Sequence, residues 1–403
     1  MRANLPIIED YVKLEKYMRQ VAVIGIGQTK IDEHWDLSLR ELAGEAIMAA
    51  FEDAGVAYFD VLYLGNMLSA TANNQQQIGA YIADWLGLRG SEAFHIESAC
   101  SSGAAAFRSA VLAVASGEVN IAVAAGIEKM TDIPASEITL SLATAADADW
   151  EVDQGVSFVA LNALIMQKYM HEYGWRHSDF ANFSINAHEN AMHNPFARFH
   201  SSLTLEQYEK SPMICDPINI MDASPIGDGA AAVLLVPLDS NLISGREKVI
   251  RVVASSAASD TISIHSRKDP LWLRAAELSA KDCYQQSGIS PVDIDVFEYH
   301  DAFTIMAALS LEASGFCNRG EAPRLALENR LSLPSPLSVA TMGGLKARGH
   351  PVGATGMYQL VEAIQQLRGV AGDNQKEKAD YAMAQNIGGS GSNIITHILT
   401  NVP

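Results

Sequence analysis

The stretch Glu97–Ala125, ESACSSGAAAFRSAVLAVASGEVNIAVAA, decides how the rest of the chain is read. It opens at the end of the short apolar segment AFHIES, Ala93–Ser98, and reaches Cys100. A run of small residues at helical spacing then stops at Gly117, and an apolar strand-like run resumes at Ile121–Ala125. Strand, glycine-stopped helix and strand make a βαβ unit. The same order returns far downstream, as GHPVGATGMYQLVEAIQQLRG at Gly349–Gly369 followed by YAMA at Tyr381–Ala384. Cys100 and Gly117 are 17 positions apart, and His350 and Gly369 are 19 apart.

Further pairs fall into register with this repeat. LAGEAIMAAFEDAG at Leu42–Gly55 leads to DVLYL, and AELSAKDCYQQSG at Ala276–Gly288 leads to DVFEY. VAVIGIG from Val21 pairs with VIRVVAS from Val249, and AAAVLLV from Ala230 with SNIITHIL from Ser392. Alternating strands and helices, repeated once, predict an α/β fold of two similar halves with mainly parallel central strands. The first strand is expected at Val21–Gly25, with residues 1–20 as an appendage. The first half then takes 21–128 and 226–258, and the second takes 259–403. Residues 129–225 have no counterpart in the repeat and read as an inserted lobe over the active face.

Composition narrows the function. Lys and Arg total 28 against 47 Asp and Glu, a net charge of −19 with no basic run, which disfavours nucleic acid as a partner. The four cysteines, Cys100, Cys215, Cys283 and Cys317, show no CxxC spacing. That argues against a zinc ribbon or disulfide scaffold and fits a reducing, cytoplasmic setting. No apolar run reads as a membrane span, and Glu9, Asp10 and Glu15 break any secretory pattern.

Cys100 precedes a Gly/Ala-rich helix, where the helix dipole and free N–H groups favour a thiolate. By itself it is equally readable as a small buried hydrophobe. His350 sits among Gly343, Gly344, Gly349, Gly353 and Gly356, a pattern for a tight turn that can aim a histidine into a cleft. His300 ends a strand, where ligands gather in parallel sheets. Gly388, Gly389 and Gly391 crowd a turn that can aim N–H groups at an anion.

Taken together, ESACSSGAAA, DASPIGDGAAAVLL (Asp222–Leu235), HDAF (His300–Phe303), GGLKARGHPVGATG and the C-terminal glycine turn resemble the thiolase superfamily over nearly all of Val21–Leu399. The resemblance implies a five-layer α-β-α-β-α fold with an inserted loop domain. It implies Cys100 as the acyl-accepting nucleophile and His350 as its activator. His300 stands where many relatives carry asparagine, and the histidine form of this motif resembles the sterol-carrier-type and archaeal-type members. Gly388 matches a glycine whose N–H joins that of Cys100 in an oxyanion hole that His300 and His350 also serve. Ser224 matches a serine that contacts the pantetheine arm of coenzyme A. No bound cofactor or metal is implied, and CoA enters as a substrate.

One departure bears on mechanism. The family's second cysteine is absent from both of its known sources, replaced by Asn386 in one and Ala302 in the other. His300, or a relay through Asn386, is the expected substitute. The expected reaction is thiolysis of a 3-oxoacyl-CoA, or the reverse Claisen condensation, through a Cys100 acyl-enzyme. A retro-aldolase or non-condensing acyltransferase and an inactive scaffold are the competing readings. The HDAF form resembles catabolic members such as benzoylsuccinyl-CoA thiolases and archaeal relatives that work beside a small zinc-ribbon/OB-fold protein. A homodimer core, with such a partner as a further subunit, is the implied assembly.

Overall fold

The protein is described here by a computed structural model that covers residues 18–246 and 248–401. The expected appendage therefore lies outside the described residues except for 18–20. There Arg19 closes the end of the helix Ser102–Ser116, its guanidinium donating to the Val114 carbonyl at 2.8 Å.

The strands are β1 (Val21–Gln28), β2 (Val61–Gly65), β3 (Glu92–Ile96), β4 (Ala122–Glu128), β5 (Met213–Cys215), β6 (Ile218–Asn219), β7 (Gly229–Pro237), β8 (Ile250–Ser259), β9 (Val296–Glu298), β10 (Ser338–Val339), β11 (Tyr381–Gly388) and β12 (Asn393–Asn401). Apart from the β5–β6 hairpin they hydrogen-bond in the order β10-β9-β11-β12-β8-β1-β7-β4-β2-β3. The order is a palindrome of roles. Moving outward from the β1–β8 junction, each half shows its first, fifth, fourth, second and third strand. The sheet is mixed: β7 and β12 each run opposite to the other four strands of their half, and β1 and β8 pair antiparallel where the halves meet, so the parallel pairs lie among the outer strands and not, as expected, at the centre. In this order β8 takes the place in the second half that β1 takes in the first. The expected change of half at 258–259 therefore falls one residue before the end of β8.

Two helices form the central layer. Ser102–Ser116 follows Cys100, and Thr355–Arg368 follows His350. Thirteen residues of Thr355–Arg368 are buried, polar Gln359, Glu362 and Gln366 included, because protein covers the helix on all sides. One apolar cluster joins these helices to strand residues of both halves, including Ala124, Val233, Val296 and Ala384. The outer helices each bury one face. Leu39–Ala54 covers the first half, and Arg274–Ser287 covers the second. Helix, sheet, helix pair, sheet and helix give five layers. The stretch Ala99–Ser116 reaches membrane-span length at a mean hydropathy of 1.2, contrary to expectation, but it is part of this central layer.

The central helices touch through glycines. A Cβ on Gly356 would stand 2.6 Å from the Ala104 nitrogen and 2.7 Å from Asn386 Oδ1. Gly356→Ala is expected to cost about 1–3 kcal/mol by overpacking, read as a lower Tm in thermal unfolding.

Candidate active site

Cys100, His300 and His350 come from three distant parts of the chain and line one cavity of about 190 Å3. Cys100 lies between β3 and its helix. The preceding residue, Ala99, has φ 51°, a left-handed conformation that costs an alanine free energy. The Glu97 carboxylate holds it by accepting the Ala99 N–H at 2.6 Å. His300 follows β9. His350 is delivered by the turn Gly343–Gly349, where Gly349 at φ 113° brings the backbone against Ile31 in a conformation closed to most residues. Its own N–H is fixed by the Pro225 carbonyl at 3.0 Å.

The two imidazoles meet edge to face with ring centroids 5.2 Å apart. Asn386 Nδ2 lies 2.9 Å from His300 Nδ1. An amide nitrogen only donates, so Nδ1 accepts and the ring proton sits on Nε2. His350 Nδ1 lies 2.7 Å from Thr355 Oγ1, whose own proton goes to the Pro351 carbonyl at 3.3 Å. That places a proton on His350 Nδ1 and leaves Nε2 bare. The network thus assigns opposite tautomers: His300 presents a donor and His350 a base.

Burial holds both histidines neutral. His300 is pushed down to about 3 by burial and by the Arg348 guanidinium. His350 is driven well below its usual value by burial, His300 and Arg348. Arg348 itself is fully buried, paired with Glu362 at 2.6 Å. His300, expected as the substitute for the second cysteine, is thus a neutral N–H donor.

Cys100 also departs from expectation. Burial first, then the charge of Glu128, push its thiol up to about 12, while the amides of Cys100 and Gly389 oppose them. Desolvation outweighs the helix terminus, so the resting group is a thiol. Glu128 is itself buried and held by the N–H groups of Met67, Leu68 and Gly353. With a pKa near 12, the thiolate fraction grows about tenfold per pH unit below that value. Alkylation of Cys100 by iodoacetamide is therefore expected to accelerate steadily from pH 7 to 10. A plateau below pH 9 would contradict this.

The remaining expected residues separate. Ser224 lines the cavity, and its N–H donates to the Ala302 carbonyl at 2.9 Å. Ala302 lines it as well. The turn amide directed at the sulfur belongs to Gly389, which lines the cavity; Gly388, one residue earlier, packs against Ser98 and Ser101. Asn386 does not line the cavity. Its amide protons go to His300 and to Gln359 Oε1, so it orients His300 and has none to relay into the cavity. Gln359 in turn donates to the Tyr299 carbonyl at 2.7 Å. Sequence reasoning missed Thr355 and Gln359, although both lie on the helix that His350 introduces. No other cysteine lines the cavity.

A thiol, an imidazole base and fixed N–H donors in a mostly apolar cleft define an acyl-transfer enzyme working through a cysteine. Comparisons narrow the class. Residues 21–239 match the profile "Thiolase, N-terminal domain", and residues 256–401 match "Thiolase C-terminal domain-like". An "Acetyl-CoA acetyltransferase" of Methanothermobacter thermautotrophicus is 43% identical over 95% of this chain and 100% of its own. The "Benzoylsuccinyl-CoA thiolase subunit BbsB" of Thauera aromatica is 30% identical over 93% of this chain and 96% of its own. Among solved structures, "Ltp2-ChsH2(DUF35) aldolase" superposes with a TM-score of 0.81 at 23% identity, covering 95% of this chain and 98% of that one. The chain belongs to the thiolase family, and it is an acyltransferase of that type.

Proposed function

We propose that this thiolase cleaves a 3-oxoacyl-CoA with CoA, or forms one from two acyl-CoA molecules, by a single proton relay between Cys100 and His350. The observation that carries it is the bare Nε2 of His350 in the same cavity as a protonated Cys100 thiol. His350 takes the thiol proton as Sγ attacks the C3 carbonyl. The C2–C3 bond breaks, its electron pair passes to C2, and the acyl group stays on Cys100. His300 Nε2–H donates to the enolate oxygen that develops. His350, now protonated, returns the proton to C2, which supplies what a second cysteine would. CoA then enters, His350 takes its thiol proton, and the CoA sulfur attacks the acyl-cysteine to release the second acyl-CoA and the Cys100 thiol. Fixed N–H donors in a dry site are the main source of stabilisation for such oxyanions.

The conversion of acetoacetyl-CoA and CoA to two acetyl-CoA, followed by loss of the 3-oxo thioester absorbance, tests this reading directly. The methanogen relative's name supports this choice of substrate. A retro-aldolase would make no demand on Cys100 or on the tautomer of His350. Ser224, at the half-buried side of the cavity, suits the pantetheine arm. The amides of Cys100 and Gly389 suit the tetrahedral oxyanion.

Assembly and location follow as part of the same reading. The outermost strand β3 leaves Phe94 45% exposed, and Trp85, which ends the helix Ile78–Trp85 packed on β3, is 40% exposed. An unpaired edge with aromatic cover suits pairing with a second copy. Light scattering is expected to give twice the chain mass; a stable, active monomer would contradict it. Leu140, Trp150 and Leu164 on the inserted lobe are each 60% exposed or more, apolar side chains that a small zinc-ribbon/OB-fold partner in a heteromeric complex would cover. Four free cysteines support a reducing cytoplasm.

A further inference from the structure

Glu128 ends β4 fully buried and does not itself line the cavity. Its carboxylate faces N–H groups from two turns. Oε1 accepts from the Leu68 amide at 3.0 Å and from Asn66 Nδ2 at 2.8 Å. Oε2 accepts from the Met67 amide at 3.0 Å and the Gly353 amide at 2.9 Å. All four donors are neutral, and the neighbouring Lys129 pairs with Asp132 and Asp228 instead. An ionised carboxylate has about four acceptor sites, so these donors fill them and leave no place for a proton. Burial pushes the group up to about 7 against the pull of these bonds, and at pH 8 it is an anion.

A buried anion held without a cation is unfavourable, and this one also opposes charge on Cys100. Its use has to lie in what it joins. Asn66–Leu68 is the turn that follows β2, and Met67 and Cys100 pack against the apolar cluster that holds Leu68 and Val352. Gly353 lies between His350 and the helix Thr355–Arg368. The backbones meet here without room for a side chain. A Cβ on Gly353 would stand 2.7 Å from the Met67 nitrogen, and one on Gly103, in the helix after Cys100, 2.9 Å from the Gly353 oxygen. The carboxylate therefore binds the His350 turn to the turn that packs beside Cys100.

We propose that Glu128 is a positioning residue for the transfer of the Cys100 proton to His350, its buried anion tying the amides of both turns together while its charge discourages a free thiolate. The inference rests on the relay described above. The test compares Glu128→Gln and Glu128→Asp with the parent at pH 8, by iodoacetamide alkylation of Cys100 and by acetoacetyl-CoA thiolysis. Glutamine keeps the size, loses the charge and sets an NH2 against two of the four donors. Alkylation is expected to be about threefold faster, a gain in thiolate partly offset by its weaker nucleophilicity. Thiolysis is expected to move the other way, with kcat lower by about 10- to 100-fold and KM within about twofold. Aspartate keeps the charge but draws it back from the amides, so alkylation stays at the parent rate while kcat falls by about tenfold. Alkylation unchanged or slowed in Glu128→Gln would overturn the proposal. So would full kcat in Glu128→Asp, which decides the matter should Glu128→Gln not fold. A parent protein without thiolysis would overturn the relay, whereas alkylation would still read the charge of Glu128.

Discussion

Cys100→Ser is expected to lower thiolysis by about 10⁴-fold or more while leaving the fold and Tm unchanged. The side chains are nearly isosteric, so the cavity keeps its shape. The chemistry fails because a hydroxyl is far harder to deprotonate than a thiol, and this site already disfavours charge on residue 100 through burial and Glu128. His350, a weak base in this setting, cannot make up the difference. Losses of this size are typical when a nucleophile is removed from a site whose donors and binding contacts stay in place. The measurement is kcat/KM for acetoacetyl-CoA thiolysis beside a thermal unfolding curve. Residual activity above about 1% would show that the sulfur is dispensable.

His300→Ala is expected to separate the two halves of the reaction. Acylation of Cys100 by a simple acyl-CoA requires the His350 base and the turn amides, which remain. Carbon–carbon cleavage requires a donor for the enolate oxygen, and His300 Nε2–H supplies it because Asn386 fixes the proton there. Loss of one such donor costs about 10²–10³ in kcat. His300→Asn restores an N–H and is expected to recover part of that loss. With its ring neutral well below pH 6, His300 gives no inflection to the pH–rate profile between pH 6 and 9. Equal losses of labelling and cleavage in His300→Ala would contradict the division of labour, as would full cleavage activity.

The repeat that organises the fold was legible because each βαβ unit carries its own local punctuation. Gly55, Gly117, Gly288 and Gly369 each end a helix in the left-handed conformation, and sequence spacing alone reveals them. Cys100, His300 and His350 were legible because each ends or follows an element that the repeat places on the same side of its sheet. What the sequence could not reveal depends on contacts across elements. Asn386 and His300 are 86 positions apart and meet only because β11 pairs with β9. The direction of the Cys100 shift was misread for a similar reason. A helix start is visible locally, whereas burial and the charge of Glu128 exist only after folding. The choice between Gly388 and Gly389 depended on which amide the turn rotates toward the sulfur.

The mechanism requires a covalent acyl group on one sulfur. Incubation of the protein with acetyl-CoA in the absence of a second thiol, followed by proteolysis and mass mapping, reads that directly. The expected result is a mass increase of one acetyl group on the peptide containing Cys100, lost on addition of CoA. Acetyl carried by Cys215, Cys283 or Cys317, or full thiolysis activity with no adduct on Cys100, would contradict it.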